Sequence, residues 1–165
     1  MHEADHKYTP PDVTSRSLPA AVAHYLDGAN LLEKTQALRL STIDAEGWPH
    51  AALLSAGDAV AMSNGNIRFV LFPQSGTVAN LARDERLTLT LSLDGGMCEL
   101  RMRAHRLNHS SKDVPLAFFE AGIEAVRRHA SPYATVTGGI LFSLHEPDAV
   151  LPRWKRQIEA LRTAA

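Results

Sequence analysis

A short loop between a strand-like segment and a helix-like segment carries the residues best suited to chemistry. It reads PQSGT (Pro73–Thr77) and follows an apolar stretch that ends at Phe72. Ser75 is placed to cap the helix, and the N–H groups of a helix N-terminus bind anions such as phosphate. Gly76 lets the backbone approach a ligand closely. Because the loop has no lysine or arginine, it predicts either a phosphate site built from neutral donors or a plain helix cap.

The composition limits the classes of partner. The 165 residues include 17 basic and 18 acidic side chains, for a formal charge of −1. This balance argues against general electrostatic binding to nucleic acid or to anionic membranes. No stretch reaches the roughly 18 apolar residues of a membrane helix, and the polar segment 1–16 lacks the apolar centre of a signal peptide. We therefore expect a cytoplasmic protein with no nucleic-acid and no membrane partner.

The histidines and the single cysteine do not indicate a metal centre. The eight histidines are scattered and form no HExxH pair, and Cys98 has no second cysteine to join. Cys98 alternates with apolar residues and is expected to pack in the core. We expect no metal, and no side chain stands out as a catalytic acid, base or nucleophile.

Hydrophobic periodicity and turn signals predict the elements that position the loop. Residues 1–16 read as an arm and 17–165 as a single domain. The predicted strands are three short ones within 37–72, Arg86–Leu93, Met97–Leu107 and Tyr133–Leu144. The predicted helices are one within 18–32, a short one after Ser75, Asp113–His129, and a basic C-terminal helix at 148–161. About six strands, mostly joined by hairpins, predict a mainly β protein with flanking helices (α+β) whose antiparallel sheet closes into a small barrel.

Four local sequences in this order resemble a known family. They are LSTIDAEGWPH (Leu40–His50), FVLFPQSGTVANL (Phe69–Leu81), DERLTLTL (Asp84–Leu91) and ELRMRA (Glu99–Ala104). Together they resemble the pyridoxamine 5'-phosphate oxidase-like, FMN-binding split-barrel superfamily over about residues 18–145. The pairing of a T-x-D-x-x-G-x-P hairpin with an S-x-x-x-x-N-L segment is typical of that family.

The resemblance implies a six-stranded antiparallel split β-barrel of the FMN-binding type, a homodimer with FMN at the dimer interface, and an FMN-dependent oxidoreductase of unspecified substrate. In the family the first strand pair flanks the flavin ring, the loop before the short helix binds the phosphate, and the Glu99–Ala104 strand faces the flavin of the other subunit. The cofactor-binding residues that it implies are Leu53, Leu54, Phe72, Pro73, Ser75, Gly76, Thr77, Glu99 and Arg101.

This chain departs from the family pattern at the phosphate. The family's basic pair falls on Gly76 and Thr77, and a basic position on the second strand falls near Ala52. An alternative is therefore a flavin-free split-barrel dimer that acts as a binding or regulatory protein, or one that holds another cofactor such as heme or a deazaflavin.

For several further residues the sequence allows two roles. Either Arg39 or Arg68 reaches the cofactor site, or these arginines cap a strand edge. Trp154 covers the cofactor or docks its helix on the barrel. Arg101 lies near the partner's flavin or on a solvated strand face.

Overall fold

A computed structural model describes residues 8, 10 and 12–165. Most of the predicted arm, residues 1–7, 9 and 11, lies outside the described residues. The described strands are β1 (Asp12–Ser15), β2 (Leu38–Ile43), β3 (Pro49–Leu54), β4 (Ala59–Ala61), β5 (Ile67–Leu71), β6 (Arg86–Leu93), β7 (Gly96–Arg106) and β8 (Ala117–His129). The helices are α1 (Ala20–Tyr25), α2 (Gly76–Arg83) and α3 (Pro147–Thr163), with a 3₁₀ turn at Leu31–Glu33.

All strand pairs are antiparallel and form one sheet in the order β3-β2-β6-β7-β8-β5-β4, with β1 added to the far end of β8. The sheet curls into a split barrel, which confirms the predicted mainly β fold with flanking helices. The path holds seven strands rather than the predicted six, because the apolar segment 37–72 divides into four short strands instead of three.

The barrel interior is built from strands that alternate as the sequence predicts. On β6, Leu87, Leu89 and Leu91 are buried, while Thr88 and Thr90 between them face outward. They pack with Leu38 and Leu40 of β2 and Leu100 and Met102 of β7, and α1 and α2 contribute to the same core.

A second core lies between α3 and the opposite side of β4, β5 and β8. Val60, Val70 and Phe118 from the strands pack there against Trp154 and Ile158 of α3. The two cores share β8, where Phe119 points into the barrel and its neighbour Phe118 points toward α3. The C-terminal helix, predicted at 148–161 and observed at Pro147–Thr163, is thus part of the domain.

The predicted helix at Asp113–His129 is wrong, because this segment forms the long strand β8. Both faces of its first half are buried, so the alternation that marks a half-buried strand is missing. A bulge opposite Arg101 and Met102 then shifts the register, so that Ile123 pairs with Met102 and Val126 with Leu100. The extra residue gives the apolar positions a helix-like spacing.

Two further boundaries differ from the prediction. The segment Tyr133–Leu144 is not a strand: it contributes a single bridge between Leu141 and Gln36, and most of its side chains are exposed. The first helix spans only Ala20–Tyr25 of the predicted 18–32, because Gly28 and Asn30 adopt positive φ angles of 76° and 51° that interrupt a helix.

Cys98 lies on the inner face of β7, which agrees with the packing role predicted for it. Burial raises the pKa of its thiol. Since the thiolate is the reactive form, we expect the native protein at pH 8 to react with a thiol reagent about tenfold or more slowly than the denatured protein. Absorbance measured during the reaction, with and without denaturant, tests this. Equal rates would contradict the buried position.

Candidate functional site

The loop 72–77 is held in place by the cap that begins α2. The Oγ of Ser75 accepts a hydrogen bond of 3.3 Å from the N–H of Val78. The predicted cap is therefore formed. Because the hydroxyl oxygen is the acceptor in this bond, the hydroxyl proton of Ser75 is still available to a ligand.

The two sequence motifs that carried the family resemblance touch each other. The buried side-chain amide of Asn80 on α2 donates a 3.0 Å hydrogen bond to the hydroxyl of Thr42 on β2. At the turn after β2, the carboxylate of Asp44 accepts from the N–H groups of Glu46 and Trp48, both at 2.9 Å. The S-x-x-x-x-N-L segment is thereby fixed to the T-x-D-x-x-G-x-P hairpin, which orients the start of α2.

A cleft of about 470 Å³ opens beside this loop, within the range of about 300–1,000 Å³ that is usual for ligand pockets. One wall comes from the ends of β3 and β5 and the start of α2, and the other from the segment before β8 and from α3. The lining residues are Ala52, Leu53, Leu54, Asp58, Val70, Leu71, Phe72, Ser75, Thr77, Asp113, Val114, Pro115, Leu116, Arg153, Arg156 and Gln157.

Five of the residues named from the sequence meet in this cleft. Leu53 and Leu54 end β3, Phe72 follows β5, and Ser75 and Thr77 belong to the start of α2. Phe72 is 71% exposed and Leu53 is 55% exposed, so both present apolar surface. Pro73 and Gly76 belong to the same loop but are not among the residues that line the cleft.

Thr77 differs from the other loop residues in its burial. It is only 2% exposed and lines the cleft. Its side chain makes no hydrogen bond to any part of the chain that the structure describes. This hydroxyl is therefore a donor without a protein acceptor in the described chain, at the wall of a cleft.

The sequence prediction missed two cleft residues, Arg153 and Arg156. They stand three positions apart on α3, which places them on one face of the helix. Their spacing was visible in the sequence, but nothing in it indicated that this face of α3 meets the loop. They bring positive charge to the cleft that this loop, which has no basic residue, also lines.

Glu99 and Arg101 do not join the cleft of their own chain. They lie on the outward face of β7, where Glu99 pairs with His129 at 3.0 Å and lies 3.9 Å from the guanidinium of Arg101. Cross-strand pairing places Thr90 and Arg39 beside Glu99 on the same face. Within one chain, Glu99 and Arg101 do not line the cleft, although Leu53, which does, lies on the same outward face of the sheet.

The structure decides between the two roles that the sequence allows for Arg68 and for Trp154. Arg68 donates hydrogen bonds of 2.8 and 2.6 Å to the carbonyl oxygens of Leu161 and Ala164, and its side chain also pairs with Glu120. It therefore binds the C-terminus of α3 rather than the loop. Trp154 is 3% exposed and packs against Gly57, so it docks α3 on the barrel.

The residues of the cleft fit FMN. Leu53, Leu54 and Phe72 offer apolar surface for a flat ring, and Thr77 offers a hydroxyl with no acceptor of its own. Two carboxylates, those of Asp58 and Asp113, also line the cleft. Asp58 already accepts from Ser55 and Gln157, so most of its hydrogen-bonding capacity is taken.

Comparison with known proteins identifies the family. No family model matches the chain. The uncharacterized protein YclD of Bacillus subtilis (strain 168) is 34% identical over 139 residues, which covers 83% of this chain and 90% of YclD. The chain belongs to the YclD family. The similarity spans most of both members, so the family shares the whole domain rather than a local motif.

Solved structures similar to this YclD-family member share its fold. A candidate pyridoxamine 5'-phosphate oxidase from Lactobacillus delbrueckii aligns with a TM-score of 0.54 and 13% identity, over 72% of this chain and 98% of that chain. The conserved hypothetical protein Rv2991 from Mycobacterium tuberculosis aligns with a TM-score of 0.53 and 15% identity, over 80% and 98%. HupZ from Group A Streptococcus aligns with a TM-score of 0.50 and 13% identity, over 61% and 90%. The fold is the split barrel of pyridoxamine 5'-phosphate oxidase-like proteins.

Among residues 8, 10 and 12–165, no helix has the length and apolar character needed to span a membrane. In the same part of the chain, no group of three or more His, Cys, Asp or Glu side chains is arranged to hold a metal ion.

Proposed function

We propose that this protein is an FMN-binding flavoprotein and acts as an FMN-dependent oxidoreductase. One observation carries the proposal: the loop residues Ser75 and Thr77 and the apolar residues Leu53, Leu54 and Phe72 line a single cleft of suitable size. The sequence resemblance names the same five residues for the cofactor. The split-barrel fold supports the proposal.

Each part of the cleft has a role in this proposal. Bound FMN supplies the redox chemistry. The apolar ends of β3 and β5 bind the ring and exclude water from one side of it. The N-terminus of α2, with the hydroxyls of Ser75 and Thr77, donates hydrogen bonds to the phosphate. The proposal requires no side chain of the cleft to transfer a proton.

We further propose a homodimer. Ile43, Trp48 and Leu53 are large apolar residues exposed on or beside the outward face of the β2–β3 hairpin, with Trp48 67% exposed. Strand pairing extends this face from Leu53 through Arg39 to Glu99. If two copies join through it, Glu99 and Arg101 of one subunit lie toward the flavin of the other.

Titration of FMN with the purified protein tests the proposed function. We expect saturable quenching of flavin fluorescence with one FMN per chain, and a yellow protein after gel filtration. A colourless protein that leaves flavin fluorescence unchanged would contradict FMN binding and would favour a flavin-free binding dimer. A Soret band in the purified protein would instead indicate heme.

Thr77→Val is expected to weaken FMN binding by about tenfold or more, because a hydrogen bond to a charged group contributes about 1.5–3 kcal/mol. The free energy of unfolding should change little, since the hydroxyl of Thr77 makes no hydrogen bond within the described chain. Fluorescence titration and urea unfolding measure the two effects. Thr35→Val, at an exposed position away from the cleft, is the control. An unchanged FMN affinity in Thr77→Val would place the phosphate elsewhere.

A further inference from the structure

The cleft has two arginines that pair with no protein anion in the described chain. Arg153 and Arg156 of α3 both line it. Neither makes a hydrogen bond or an ion pair with any residue that the structure describes. Arg68, Arg86 and Arg103, by contrast, each pair with a carboxylate. The two arginines on α3 are therefore free to bind an external anion.

The helix that carries these arginines is anchored close to both of them. Trp154, next to Arg153, is buried against Gly57, and a Cβ built on Gly57 would lie only 2.1 Å from the Cγ of Trp154. Gln157, next to Arg156, donates hydrogen bonds of 2.9 Å to the carbonyl of Gly57 and to the carboxylate of Asp58. These contacts fix the backbone positions from which both arginines extend.

The neutral donors of the loop line the same cleft. Thr77 is only 2% exposed, and its hydroxyl has no acceptor within the described chain. It belongs to the first turn of α2, whose N–H groups carry a partial positive charge. An unpaired hydroxyl, a helix N-terminus and two unpaired guanidinium groups together form a donor set suited to a phosphate dianion.

We propose that the C-terminal helix completes a phosphate-monoester site in this protein, with Arg153 and Arg156 supplying the charge that the loop Ser75–Thr77 lacks. The ligand class is a phosphate monoester on an apolar, flat body, because Leu53, Leu54 and Phe72 give the cleft an apolar wall. That the flat body is a flavin rests on the proposed function. The arginines of α3 would then make the protein bind FMN more tightly than riboflavin, which has no phosphate.

The test compares FMN and riboflavin in binding titrations of the full-length chain. Arg153→Gln and Arg156→Gln are each expected to weaken FMN binding by about tenfold and to leave riboflavin binding unchanged. Lys155→Gln is the matched control, because it removes the same charge from the same helix at a position that does not line the cleft. It should change neither affinity.

Asp113→Asn is expected to change FMN affinity in the opposite direction. Asp113 lines the cleft and has no partner in the described part of the chain, so its carboxylate repels a bound phosphate. The variant should tighten FMN binding by about threefold without affecting riboflavin. A lowered affinity would contradict a phosphate near this carboxylate.

The outcomes separate this inference from the proposed function. If the wild type binds FMN and both arginine variants bind it equally well, the function stands and the role of α3 is overturned. If the wild type binds neither flavin, the proposed function fails, and inorganic phosphate becomes the probe. Thermal stabilisation by phosphate that is lost in Arg153→Gln/Arg156→Gln then supports the site. Stabilisation that is absent, or equal in both proteins, overturns it.

Discussion

Replacing Trp154 with alanine is expected to lower the free energy of unfolding by about 3–5 kcal/mol, the range for removing a fully packed aromatic side chain. Trp154 is 3% exposed, packs on the backbone at Gly57 and makes an edge contact with Phe142. Its removal leaves a cavity in the core that joins α3 to the barrel. Urea unfolding followed by circular dichroism measures the change.

Trp48 offers a control for the same substitution. It lies in the β2–β3 turn and is 67% exposed, so Trp48→Ala should change the free energy of unfolding by less than about 0.5 kcal/mol. This control is measured at protein concentrations where the chain is a monomer, because Trp48 adjoins the proposed dimer face. Similar losses in the two variants would mean that α3 does not depend on the packing of Trp154.

Ile43→Glu is expected to weaken dimerisation by about 100-fold or more. Ile43 is exposed at the end of β2 on the proposed dimer face. Burying a carboxylate at this apolar position costs about 3 kcal/mol or more in lost hydration. Sedimentation equilibrium measures the association, and the variant should remain folded because Ile43 lies outside the barrel core.

Leu32→Glu is the matched control for that variant. Leu32 is also a large exposed apolar residue, but it lies in the 3₁₀ turn, away from the outward face of β2 and β3. It should leave dimerisation unchanged. A wild-type protein that sediments only as a monomer would contradict the dimer. Equal association of wild type and Ile43→Glu would place the interface on another face.

The sequence by itself determined the strands, turns and helix caps that depend only on residues close to one another in the chain. The leucines of Arg86–Leu93 alternate with hydroxyl residues, and this segment is the strand β6 as predicted. Gly47 and Gly65 adopt φ angles of 86° in the turns after β2 and β4, a conformation that glycine adopts at little cost. Ser75 caps α2 because its side chain reaches the N–H of Val78 only three positions away.

The tertiary structure decided the elements whose environment is set by distant residues. The strand β8 packs one phenylalanine in each core and carries a bulge, so its apolar spacing resembles that of a helix. The spacing of apolar residues indicates which side of a helix or strand is buried. This spacing misleads when both sides of a strand are buried or when a bulge shifts its register. The segment Tyr133–Leu144 has strand-like composition but only one bridging partner.

The candidate site shows the same division. The sequence predicted the loop and its hydrogen-bond donors, because their chemistry is local. It did not predict that Arg153 and Arg156 line the same cleft, because a helix face shows where its charges lie but not which surface they meet. That pairing was decided by the burial of Trp154 and by the hydrogen bonds of Gln157, which dock α3 beside the cleft. These contacts join residues far apart along the chain, and only the folded protein brings them together.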